Sequence, residues 1–204
     1  MTTQATFRAR LRTLLDDAAV AIWTDAELND HIDEALRLLS RSTPNEETST
    51  IATTAGNRDV SISSLTDLIR IRAAEYPTGN FPETFVPFRV WGLTLTLLGS
   101  DVPDGSNVRL FWESTHLVAD GTLPTTHDTA VLRAAAALAC DQQQADTTNA
   151  INTGGAFAPR DWRALSAQHW AAYHAQAVPR AGVRVAYLYQ PAAPISTETR
   201  DPGP

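Results

Sequence analysis

The chain has 204 residues, 43% of them hydrophobic, which is enough to bury a real core and too apolar for global disorder. Its formal net charge is −7, so no basic excess marks a face built to grip nucleic acid. All 16 basic residues are arginine, and the single cysteine, Cys140, excludes a disulfide framework within one chain.

No apolar stretch reaches membrane-spanning length, and residues 1–5 show no signal-peptide pattern. A soluble protein of a reducing compartment is therefore expected. Phe7, Leu11, Leu14, Leu15, Ala18 and Ile22 recur on one helical face and predict a first helix. Thr24 followed by Glu27 is a capping box. Behind it, Leu28, Ile32, Ala35, Leu36 and Leu39 give a second helix its apolar face. Little more than the cap separates the two, so they should pack at a sharp turn. Residues 40–47, with Pro44, read as a loop.

Residues 48–54 and 59–63 read as short strands around a hairpin at Gly56-Asn57. Three longer strand runs follow over 68–76, 88–98 and 108–117. A packed Pro/Gly-rich loop, 77–87, parts the first two, and Asp104-Gly105 turns the chain before the third. An alanine-rich helix is expected over 128–144, its face marked by Val131, Leu132, Ala135, Leu138 and Ala139. A loop over 147–157 then leads to a last helix over 159–178. Pro159 sits in its first turn, and Trp162, Leu165, His169, Tyr173 and Ala177 fall at helical spacing.

After Pro179 the period becomes two. Val183, Val185, Tyr187 and Tyr189 line one face of an extended segment, and 191–204 is a polar, Pro-rich tail expected to be disordered alone. The order predicts an α+β chain. Its helical scaffold, an N-terminal helix pair plus two C-terminal helices, carries an inserted antiparallel β module and an extended C-terminal arm. The divisions fall at 1–47 for the first helices, 48–125 for the β module, 126–180 for the C-terminal helices and 181–204 for the strand and arm.

Little in the chain points to chemistry. His116, Asp120, His127 and Asp128 concentrate histidine and aspartate, and a metal-dependent hydrolase would need them to converge as ligands. They straddle a Gly/Pro loop in no ligand spacing, and Asp128 is better placed to cap the helix behind it. His169 and His174, separated by roughly 140° around a helix, read as surface or interface residues rather than a zinc pair. Gly154-Gly155 lacks the Lys and Ser/Thr of a phosphate loop. Ser114 and Ser166 have no nucleophile-elbow context, and Glu34, Glu75 and Glu113 show no acid–base spacing. Cys140 reads as a small buried hydrophobe. No catalytic residue, metal or cofactor is assigned.

Trp91, Trp112, Phe111, Phe88 and Tyr76 read first as sheet core. In the alternative of a carbohydrate- or ligand-binding module, Trp91, Trp112 and Tyr76 would face solvent. Arg70, Arg72, Arg89 and Arg109 are expected in inter-strand or inter-subunit ion pairs. The strand over 183–189 either pairs within its own sheet or adds to the edge of another.

Several of these pieces together resemble the head–tail adaptor (connector) proteins of tailed bacteriophages. They are residues 23–28 (Trp-Thr-Asp-Ala-Glu-Leu), the 69–76 strand ending Glu75-Tyr76-Pro77, and Phe88-Arg89-Val90-Trp91. Gly121 through Leu123-Pro124, His127-Asp128 and the 134–139 helix complete the set. The resemblance spans roughly residues 7–180 and is distributed rather than a sharp motif. It implies a structural protein of the virion neck, assembled in the host cytoplasm. Such a protein forms a homo-oligomeric ring, usually of twelve copies, beneath the portal protein and above stopper or tail proteins. Double-stranded DNA passes through unread, and no membrane is involved. It also implies that Val183, Val185, Tyr187, Leu188 and Tyr189 form a portal-docking arm. A stopper or tail-completion protein of the same neck is the neighbouring alternative.

Overall fold

The computed structural model describes residues 2–118, 121–152 and 160–177, the side chains of 149–152 excepted. Among these residues the chain is α+β, with four α-helices and two three-stranded antiparallel sheets. The helices are α1 (Gln4–Leu15), α2 (Asp25–Ser42), α3 (Asp128–Asn152) and α4 (Trp162–Gln176). The strands β1 (Asn45–Ala52), β2 (Asp59–Ser61), β3 (Leu68–Glu75), β4 (Phe88–Trp91), β5 (Thr94–Leu97) and β6 (Asn107–Ser114) lie between α2 and α3.

Two separate apolar cores result. α3 is the centre of the first: it packs on α1, α2 and α4, and Ala130, Ala134, Ala135, Ala136, Ala137 and Ala139 are all buried. A helix apolar on every side has to be surrounded, and small side chains let its neighbours approach closely. Phe7, Leu11, Leu28, Ile32, Leu36 and Leu39 fill the gaps from α1 and α2, and Trp23 meets Trp162 edge-on at 5.6 Å between centroids. The second core lies between the sheets, ordered β1-β6-β3 and β2-β5-β4, and is built from Val60, Ile62, Leu95, Leu97, Val108, Leu110 and Trp112.

The helical run does not reach Ile22. α1 stops at Leu15, Asp16 turns left-handed at φ 55°, and the Asp17 carboxylate accepts the backbone N–H of Ala21, Ile22 and Trp23. That side chain offers the backbone an alternative to helix, which is how Asp ends helical runs. The capping box at Thr24 and Glu27 forms in full. Thr24→Ala should lower stability by about 1 kcal/mol, read as a lower urea midpoint at unchanged slope.

Other boundaries move for tertiary reasons. α2 runs on to Ser42, so the expected 40–47 loop shrinks to Thr43-Pro44. The hairpin at Gly56-Asn57 does not form. β1 pairs with β6 over its whole length while β2 pairs with β5 in the other sheet, and the Gly56 N–H goes to the distant Pro103 carbonyl. The 88–98 run is not one strand but the hairpin β4–β5, because Gly92 at φ 57° turns it at Gly92-Leu93. β6 ends at Ser114, three residues short of the predicted end, because the His116 and Leu117 N–H groups go to the Ser40 and Thr122 hydroxyls. α3 extends to Asn152 and takes up the start of the expected 147–157 loop. α4 begins at Trp162, capped by Asp161, and Pro159 lies outside the described residues.

Where the cores meet, polar groups hold them together. His116, buried, takes the Thr43 carbonyl at Nε2 (3.0 Å) and the Thr122 hydroxyl at Nδ1 (3.2 Å). A carbonyl only accepts, so Nε2 carries the proton and Nδ1 accepts from Thr122.

Candidate interaction surface

The β4–β5 hairpin is short and its tip is apolar. Four cross-strand pairs, Phe88↔Leu97 to Trp91↔Thr94, fix its register. Phe88 and Leu97 face the sandwich core, so the alternate positions Arg89 and Trp91 face outwards. Trp91 is 84% exposed and Leu93, in the turn, 65%. Arg89 is exposed and has no ion-pair partner among the described residues.

The loop between β3 and β4 adds a second exposed aromatic. Its return limb, 84–86, extends sheet β1-β6-β3: Tyr76 N–H donates to the Thr84 carbonyl and Val86 N–H to the Ala74 carbonyl. Phe85 packs on Phe111, whereas Phe81 is 98% exposed.

On the outer face of that same sheet the expected arginine pairs form. Arg70 and Arg72 both pair with Glu113, and Arg109 pairs with Glu75 at 3.2 Å. The carboxylates are buried beneath half-exposed guanidiniums, and Gly79 N–H also donates to Glu75. These are within-chain pairs; Arg89 alone of the four is left for another partner.

A cleft of about 460 Å³ opens on the helical core between α1 and α4. Leu14, Leu15, Trp162, Leu165 and His169 line it, and Cys140 lies at its floor. Its rim carries Asp16, Asp161 and Arg160. The Arg160 guanidinium donates to the Leu15 carbonyl and to Asp16, and lies 5.6 Å over the Trp162 ring.

Several of the residues considered for chemistry are spent on structure, and His127 ends the short 3-10 turn Thr125–His127 ahead of α3. His116 sits in the seam between the cores, and Asp128 accepts from Thr2 (2.7 Å) and Arg10 (3.0 Å), so it joins the N-terminus to α3. Asp120 lies outside the described residues. Among the described residues no group of His, Cys, Asp and Glu is placed to hold a metal ion. Ser166 donates to Asp141, as does the Trp170 indole, and Ser114 donates to Glu47. His169 is buried rather than on the surface: Arg133 donates to its Nδ1 at 3.2 Å because α3 and α4 pack face to face there. His174 stacks on Trp170. Burial pushes the Cys140 thiol up to about 11, as expected of an inert hydrophobe.

Of the aromatics proposed for ligand binding, Trp91 alone is fully presented. Trp112 is buried with its N–H on Ser49, and the Tyr76 hydroxyl is bonded to Asp104. A single strand over 88–98 would hide Leu93 mid-strand; Gly92, at positive φ, is the sequence signal that puts it in a turn. Gly154-Gly155 and the arm residues Val183, Val185, Tyr187, Leu188 and Tyr189 lie outside the described residues.

Both buried histidines titrate below the ordinary range. Burial, the larger cause, lowers His116 and His169, and Arg133 lowers His169 further. In the unfolded chain they take up protons near pH about 6.5; in the fold they resist. Stability is therefore full above that pH and falls as pH drops below it. Melting followed from about pH 8 to about pH 5 should show this fall, and His169→Gln should shrink it.

No family model matches the chain, and no curated protein matches it. Among the solved structures similar to the chain are three from gene transfer agent particles. One, from the neck of the native particle computed with twelvefold symmetry, is 15% identical, with a TM-score of 0.30, over 83% of this chain and 91% of that one. One from the neck of the empty particle, computed with sixfold symmetry, is 20% identical, with a TM-score of 0.29, over 65% of this chain and 74% of that one. A third, from the native virion, is 20% identical at a TM-score of 0.28, over 81% and 87%. All three TM-scores lie below 0.5.

Proposed function

We propose that the protein is a structural head–tail adaptor. Copies of it close into a ring between a phage portal and the tail or stopper, and double-stranded DNA passes through the middle. The observation that carries this reading is the apolar tip of the β4–β5 hairpin, where Trp91 and Leu93 stand together in water. Grouped exposed apolar side chains mark contact surfaces, and Trp is among the residues that most often anchor them. The side chains of His116, Asp128, Ser114 and Ser166 are meanwhile held in structural hydrogen bonds, which favours assembly over turnover.

The charge suits a conduit. A subunit of net charge −7, repeated around a channel, repels phosphate rather than gripping it. The arm at Val183, Val185, Tyr187, Leu188 and Tyr189 is the proposed portal-docking element, with residues 1–180 forming the ring body. A ligand-binding module would need its aromatics presented together, and Trp112 and Tyr76 are engaged inside the fold.

The test is cryo-electron microscopy of the protein mixed with the portal encoded beside it. A ring on the portal, with density for 183–189 against a portal subunit, is the expected result. Deletion of 181–204 should abolish portal binding. Retained binding by that truncation removes the arm, and a bare portal at micromolar protein removes the adaptor role.

A further inference from the structure

The β4–β5 tip and the α1–α4 cleft belong to different cores of the same chain, and each has what the other lacks. The tip offers Trp91 and Leu93 to solvent, and Arg89 on the same outward face has no ion-pair partner among the described residues. The cleft offers apolar walls, Leu14, Trp162 and Leu165, and a volume of about 460 Å³, larger than an indole and an isobutyl group together. Its rim has two carboxylates, Asp16 and Asp161, against one guanidinium, Arg160. The rim is therefore net negative where the tip is positive.

We infer that the tip of one copy seats in the cleft of the next copy around the ring, Trp91 and Leu93 entering between α1 and α4 while Arg89 faces Asp16 and Asp161. This rests on the ring reading above. Two different patches on one chain are what a head-to-tail contact requires, and such contacts close into rings when the rotation allows. The size of the tip points the same way. Two side chains and a flanking arginine cover well under the roughly 800 Å² per partner that a stable dimer needs. A single seat is thus weak, and closure of the ring, which engages every seat at once, is what makes the set strong. Trp and Arg are also the residue types that concentrate interface energy.

The experiment is cysteine cross-linking of the full chain assembled on the portal. Thr94→Cys, cross-strand from Trp91, and Ala164→Cys, on the cleft wall, are placed together so that Trp91, Leu93 and Leu165 stay intact, and treated with a short bis-maleimide. Cys140 stays silent because it is buried and its thiol is pushed up to about 11. A covalent ladder beyond the dimer is expected, whereas a mixture of the two single variants should give cross-linked pairs only. Trp91→Ala should weaken subunit association at least about tenfold with the melting curve unchanged, because the side chain is already in water. Arg89→Glu should weaken it too.

Three results overturn the inference. A ladder that stops at the dimer replaces the head-to-tail seat with a reciprocal pair. A ring that forms with no ladder, and with Trp91→Ala harmless, assigns the cleft to another occupant, either the chain's own residues or a neck partner, and leaves the ring reading standing. A wild-type protein that forms no ring on the portal removes both.

Discussion

Replacing Asp17 by alanine should destabilise the helical core by about 3–5 kcal/mol, the range for a buried charged network that loses one member. Asp17 is buried in the link between α1 and α2. Its carboxylate accepts the N–H groups of Ala21 (2.9 Å), Ile22 (3.1 Å) and Trp23 (3.3 Å), and pairs with Arg12 at 2.8 Å. Arg12 keeps the Trp23 carbonyl and Asp25, so the main loss is the shared acceptor of three amides, of which Ala21 lies at an exposed residue and Trp23 at a buried one; a buried amide left without an acceptor costs about 1–3 kcal/mol. Asp17→Asn keeps one acceptor oxygen and should lose less. Urea unfolding of the three proteins measures this. A cost below about 1 kcal/mol for the alanine variant would mean that water reaches those amides and the network is incidental.

The second large effect should be lopsided. Glu113 is 2% exposed at its side chain, while Arg70 and Arg72 above it are 51% and 50% exposed. Glu113→Leu frees two arginines that already reach water, so it should be close to neutral, as replacing a buried ion pair by an apolar group often is. Arg70→Met with Arg72→Met keeps the cover and removes both positive charges, and leaves a carboxylate sealed under methylenes. That should cost about 3–5 kcal/mol. Equal costs for the two variants would contradict this picture of a buried acid held by exposed bases.

Features were legible in the sequence where their causes are local. The capping box needs only Thr24 and Glu27, and the buried nature of α3 follows from its alanines, whatever surrounds them. Strand identity was legible for 68–76, where β3 lies. Strand partnership was not, because Gly56-Asn57 looks like a hairpin until β6 and β5 compete for its flanks. The face a strand residue presents depends on that partnership, which is why Trp91 and Trp112, similar in sequence, end on opposite sides of the barrier between water and core. Asp17 hid for a related reason: Ala18 and Ile22 continue the helical period, and a single carboxylate outweighs it. The α1–α4 cleft joins residues about 150 positions apart, and no spacing rule reaches that far. Leu14 and Leu165 each carry a helical-spacing signal, but only within their own helices.

The way the chain enters and leaves the β module has a consequence for how such a protein changes over time. Asn45 and Ser114 are paired across β1 and β6, so the two crossings lie side by side. A segment whose ends are that close can be shortened, enlarged or exchanged without moving the helices that hold it. The helical body and the sandwich are thus free to diverge at different rates. A lineage could redesign the Trp91 tip to match a new neighbour while the alanine-packed centre stays fixed, with the Ser40–His116–Thr43 bonds marking the joint across which the graft has to remain compatible.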